Sequence, residues 1–99
     1  MIVEHAYIKV IAGREIDFEE AFAKAEPVLA GAEGCRDTAL FRDVERPGEY
    51  LLRVTWGRLE DHLEAFPTSS AGREFAAQVA HFFEGTPDVR HFDADRITA

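Results

Sequence analysis

The sequence predicts one α+β domain, a four-stranded antiparallel sheet with helices, in the order β-α-β-β-α-β. Three observations predict it. Residues 2–11, 35–45, 49–57 and 88–97 are β-branched or aromatic segments bounded by glycine, proline or acidic turns. Residues 14–30 and 59–83 repeat apolar positions every three or four residues. The chain has 99 residues with no repeat, low-complexity tract or linker, so residues 1–99 are a single domain.

The first segment, IVEHAYIKVI, divides into Ile2, Glu4, Ala6, Ile8, Val10 on one face and Val3, His5, Tyr7, Lys9, Ile11 on the other. Neither face is purely polar, the pattern of a strand covered on both sides. A helix over 14–30 follows, where Phe18, Ala21, Phe22, Ala25 and Leu29 form one stripe. Asp17 and Glu20 have capping-box spacing, Gly13 is an alternative start, and Pro27 should kink or break the helix near its end. The loop from Gly31 to Gly34 ends it.

Residues 35–45 place Cys35, Asp37, Ala39, Phe41 and Asp43 on one strand face, and Arg46-Pro-Gly-Glu49 is a turn. Residues 49–57 alternate Tyr50, Leu52, Val54, Trp56 against Leu51, Arg53, Thr55, completing an antiparallel hairpin. A short helix over 59–66 carries Leu59, His62, Leu63 and Phe66 on its apolar face, leaving Glu60, Asp61 and Glu64 outside. Pro67 to Ser70 interrupt it. A second helical piece over 71–83 presents Phe75, Ala76, Val79, Phe82 and Phe83, and Gly85-Thr-Pro87 ends it. The last strand, 88–97, puts His91 and Phe92 on opposite faces.

This order is the ferredoxin-like plait with its second helix split in two. A bare plait leaves one sheet face to water. Here that face keeps Leu51, Phe41 or Leu40, and apolar groups of the first strand, so a second copy of the sheet is the simplest cover.

Composition narrows the function classes. With 11 Lys+Arg against 19 Asp+Glu, the net charge of −8 disfavours nucleic acid and anionic membrane as partners. Cys35, the one cysteine, allows neither an internal disulfide nor a four-cysteine zinc site and fits a reducing cytoplasm. No secretory leader or membrane-spanning run is expected. There is no nucleotide-binding glycine motif, no H-E-x-x-H pair and no serine nucleophile elbow. His62-Leu-Glu64 has the H-x-E spacing of zinc deaminases but lacks their Pro-Cys-x-x-Cys partner, so no metal is expected.

Taken in order, Ala12-Gly13, Phe18-Glu-Glu-Ala-Phe22, the glycine turn before Cys35, Glu45-Arg-Pro-Gly-Glu-Tyr50 through Trp56, and Glu60-Asp-His62 with Phe66 make the chain resemble the antibiotic biosynthesis monooxygenase family over nearly its whole length. The resemblance implies a homodimer whose two sheets form an α+β barrel. It also implies a pocket in each subunit between sheet and helices.

Trp56 reads either as a core tryptophan or as a pocket wall that stacks on a flat aromatic substrate, the place this family commonly gives a tryptophan. His62 lies on an apolar face, where burial disfavours the imidazolium. It is either a satisfied structural histidine or a neutral base for an acidic phenol or a carbon flanked by carbonyls. His5 and Tyr7 share a strand face with each other. A His5–His91 polar contact and a pair of partly exposed or interface histidines are both open. Cys35 reads as a small core residue and His81 as a surface residue.

The resemblance implies a cofactor-independent monooxygenase that joins O2 to a small phenol, quinol or polyketide-type ring. His62 is then the base and Trp56 its catalytic companion; Tyr7, His5, Phe66, Phe82 and His91 line the substrate site. The alternative is a non-catalytic dimer that binds a small ligand or serves another enzyme as an accessory. A sister branch of the fold degrades haem with a first-strand asparagine, a third-strand tryptophan and an axial histidine. This chain has no asparagine, and Phe66 occupies the axial position.

Overall fold

The computed structural model describes residues 1–98. Strand β1 (Ile2–Lys9) leads to helix α1 (Glu15–Ala30), and β2 (Cys35–Arg42) and β3 (Glu49–Trp56) form the hairpin. A π-helical turn (Asp61–Ala65) continues into the short helix α2 (Phe66–Thr68). Helix α3 (Ser70–Val79) ends in a 3-10 turn (Ala80–Phe82), and β4 (Asp88–Asp93) closes the chain's fold. The sheet order is β2-β3-β1-β4, with every neighbouring pair antiparallel. This is the expected plait, with its second helix split. Strands β2 and β4 stop short of the expected ends.

Helix α1 buries Phe18, Phe22, Ala25 and Leu29 against the even-numbered face of β3, where Tyr50, Leu52, Val54 and Trp56 are all buried. Their shared apolar area holds the layers together. The expected capping box is not used: Glu15 accepts the Gly13 N–H at 3.1 Å and Arg14 pairs with Asp17. Pro27 does not break the helix, which runs on to Ala30 and closes through Gly31 N–H to Pro27 O at 3.0 Å. At the other end of the sheet Tyr50 O–H donates to Glu19 at 2.6 Å, and Arg42 pairs with the same carboxylate.

Two local irregularities reset side-chain faces. A bulge between Cys35 and Asp37 sets Cys35 opposite Trp56 but Asp37 opposite Thr55. Cys35 therefore leaves the face expected for it with Asp37, Ala39 and Phe41. The second is the π-helical turn. It exposes Leu63 (54%) and buries Asp61 (4%), reversing their expected places. Asp61 reaches back three residues to accept the Arg58 N–H at 2.9 Å, the bond an acidic third residue makes at a helix start. Gly34 lets it do so: a β-carbon there would stand 2.1 Å from Asp61 Oδ2.

The helices cover one sheet face. The other carries Val3, His5 and Tyr7 of β1, Leu51 and Arg53 of β3, Phe41 of β2 and Phe92 of β4, with Tyr7, Phe41 and Phe92 exposed. Among the described residues no helix is long and apolar enough to cross a membrane.

Candidate functional site

The site forms at the end of the sheet where β1 begins and β3 finishes. Pairing of Ile2 with Trp56 and of Glu4 with Val54 makes Glu4 and Trp56 diagonal neighbours on the helix-facing side. There the indole Nε1–H of Trp56 donates to Glu4 Oε1 at 2.9 Å. Trp56 is fully buried and Glu4 is only 5% exposed. Burial pushes the Glu4 carboxyl above its usual range, against the pull of the indole N–H.

His62 arrives from the π-helical turn. Its ring stacks on Trp56 with centroids 5.4 Å apart and planes 12° from parallel. Its Nδ1 lies 2.8 Å from His91 Nε2. Its Nε2 lies 3.4 Å from Glu4 Oε1. His91 is there because β4 pairs it with Glu4 across the β1 edge. Burial, then the neighbouring His91, brings the His62 pKa down to about 4, so the ring is neutral at pH 7.

Phe66 also packs against Trp56, with ring centroids 5.5 Å apart and planes 52° from parallel. Its other flank forms part of a cleft of about 160 Å³ with Gly31, Ala32, Glu33, Ala65 and Ser69 to Ala71. The Phe66 backbone is held by Gly72, whose α-carbon approaches so closely that a β-carbon would stand 1.8 Å from the Phe66 carbonyl oxygen.

Of the seven side chains singled out in the sequence, Trp56, His62, Phe66 and His91 come together here. The other three do not. His5 and Tyr7 lie on the opposite sheet face, where His5 packs against Phe92 at 5.1 Å. The sheet therefore separates His5 from His91, which closes the reading of a contact between them. Phe82 sits at the other end of the core, against Phe18 and under the Arg14 guanidinium. The register explains both outcomes: odd residues of β1 face away from the helices, and Val10 rather than Ile2 bridges to Phe83.

Glu4 is the member that sequence reasoning passed over. Its signal was present, as an acid among Ile2, Ala6, Ile8 and Val10 on the face that became the core. Cys35 is half-buried, and burial raises its thiol pKa, as suits a core residue. Among the described residues no group of three or more His, Cys, Asp or Glu side chains is placed to hold a metal ion.

The cluster thus combines a neutral imidazole, a buried carboxyl group and a fully buried indole on which the imidazole stacks. Chemically, the imidazole can accept a proton in a partly desolvated setting.

Comparison with known proteins adds the family context. The family model for antibiotic biosynthesis monooxygenase matches residues 1–78. The uncharacterised protein YczJ of Bacillus subtilis is 38% identical over 92 residues, covering 93% of this chain and 97% of its own. The crystal structure of a candidate antibiotic biosynthesis monooxygenase from Bordetella bronchiseptica is 37% identical, with a TM-score of 0.91 over 96% of this chain and 97% of its own. SnoaB, a cofactor-independent oxygenase from Streptomyces nogalater, shares the fold at a TM-score of 0.78 and 18% identity, over 98% of this chain and 95% of its own.

Proposed function

The chain belongs to the antibiotic biosynthesis monooxygenase family, and from that premise we propose that it is a cofactor-independent monooxygenase acting on a small phenol, quinol or polyketide-type ring. The stacking of a neutral, half-buried His62 on the buried Trp56 carries this reading. The substrate supplies the electrons that reduce O2, and it does so as an anion. His62 takes its proton, and a dry site with fixed dipoles favours the phenolate or enolate that results. For an anthrone-type ring, one oxygen atom enters the ring as a carbonyl and the other leaves as water. Phe66 packs against Trp56 and also borders a cleft of about 160 Å³ next to the cluster.

We place the working form as a homodimer in the cytoplasm. The apolar groups on the outer sheet face support a second copy as its cover, and a lone cysteine fits a reducing compartment. Tyr7 and His5 then belong to that interface or to a site completed by it.

The test is O2 uptake with quinol and anthrone substrates in metal-free buffer. Uptake that falls about 100-fold or more in His62→Gln supports the reading. If wild type gives none, the alternative is a dimer that binds a small ligand or serves another enzyme. The complete burial of Trp56 favours that alternative, and a fluorescence titration of Trp56 with the same ring compounds identifies it.

A further inference from the structure

Deepening the oxygenase reading and resting on it, we propose that His62 and His91 form a proton relay in which His91 carries the substrate's proton out to solvent at the sheet edge. The relay answers a difficulty in the site. A base must take up a proton, yet His62 is packed against Trp56 and beside the ring of His91, where a positive charge is poorly solvated.

The geometry removes the difficulty. His62 Nδ1 and His91 Nε2 are 2.8 Å apart, so one proton lies between them and belongs to one ring or the other. When it sits on His62 Nδ1, the Nε2 lone pair is the free base. As Nε2 takes the substrate proton, the Nδ1 proton passes to His91 Nε2. His91 then releases its own Nδ1 proton to water. His62 changes tautomer and never holds both protons. Substrate loses one proton, solvent gains one, and no electron moves in these steps.

Two neighbours favour the direction. Glu4 Oε1 stands 3.4 Å from His62 Nε2, on the side where the new N–H appears. His91 lies half-buried on β4, an edge strand, with one end in the cluster and the other toward water. His91 is a positioning residue that also receives a proton, and Glu4 is a second positioning residue.

The relay is tested by exchange and by rate. In 15N-labelled protein, the ring N–H of His62 exchanges with water through His91. His91→Gln should slow that exchange at least 10-fold, and in His91→Ala added imidazole should restore it. A merely structural His91 predicts the opposite, since its loss opens the cluster and speeds exchange. Unchanged or faster exchange in both variants overturns the proposal. With substrate, His91→Gln should lower kcat at least 10-fold at low buffer concentration with little change in KM, and kcat should climb as imidazole is added. A wild-type rate, or a loss that imidazole leaves unchanged, also overturns it. If wild type consumes no O2, the oxygenase reading fails alone, and the exchange measurement still decides the relay.

Discussion

Trp56 and Glu4 are bound to each other inside the protein, the indole Nε1–H donating to Oε1 at 2.9 Å from the adjacent strand. A buried carboxylate without donors is costly, and this indole supplies one that no water can replace easily. Trp56→Phe removes the donor as well as packing, and should cost about 2–4 kcal/mol in urea unfolding. In a Glu4→Leu background the same change should cost at least about 1 kcal/mol less, because no carboxylate is left stranded. Equal costs in the two backgrounds would show that the bond contributes nothing.

The His62 environment predicts a stability slope with pH. Its folded pKa of about 4 lies below the ordinary histidine value of 6.5. Between those values the unfolded chain binds a proton that the folded chain refuses, so stability falls as pH drops through this window. Arithmetic on that shift gives a loss of about 2 kcal/mol between pH 7.5 and pH 5. Glu4 acts in the other direction, because its raised pKa makes the folded chain hold a proton longer as pH rises. Measured in a Glu4→Gln background, stability should drop with acid, and adding His62→Phe should flatten the slope. A slope that survives the loss of His62 rejects this account.

The sequence carried the fold more fully than the site, for physical reasons visible in single residues. Period-two alternation placed Tyr50, Leu52, Val54 and Trp56 in the core, and period-3.6 spacing did the same for Phe18, Phe22, Ala25 and Leu29. Both patterns are local. The site depends on long-range register: His91 meets His62 because β4 pairs with β1, opposite Glu4. The π-helical turn was invisible too. Normal helical spacing puts Leu63 inside and Asp61 outside, and one widened turn exchanges them. The bulge at Cys35 is an irregularity of the same kind. Glu4 was legible in principle, as a carboxylate in an apolar row, but its meaning needed the indole partner.

Two glycines should respond very differently to alanine. At Gly72 a β-carbon would lie 1.8 Å from the Phe66 carbonyl oxygen, and backbone atoms cannot swing aside. Gly72→Ala should cost at least about 3 kcal/mol or prevent folding, and should disturb the Phe66–Trp56 contact. Gly13 has φ +87° with nothing within 4 Å of the added atom. Gly13→Ala meets only the backbone preference and should cost about 1–2 kcal/mol. Thermal melts of the two variants compare the effects directly, and similar losses would remove the steric explanation for Gly72.

The outer sheet face makes the last prediction, which concerns assembly. Leu51 stands opposite both Tyr7 and Phe41, so it lies at the middle of the apolar patch. If a second copy covers this patch, a charge at Leu51 meets the same charge or an apolar surface in the partner, since a two-fold interface repeats each residue. A stable interface needs roughly 1,000 Å² of buried surface, which a four-stranded sheet face can supply. Leu51→Glu should therefore convert a dimer into a monomer in sedimentation equilibrium. The helix-facing cluster lies behind the sheet, so far-UV circular dichroism and the stacked Trp56–His62 pair should persist. A wild-type chain that sediments as a monomer, or a Leu51→Glu variant that stays dimeric, removes this face as the interface between copies.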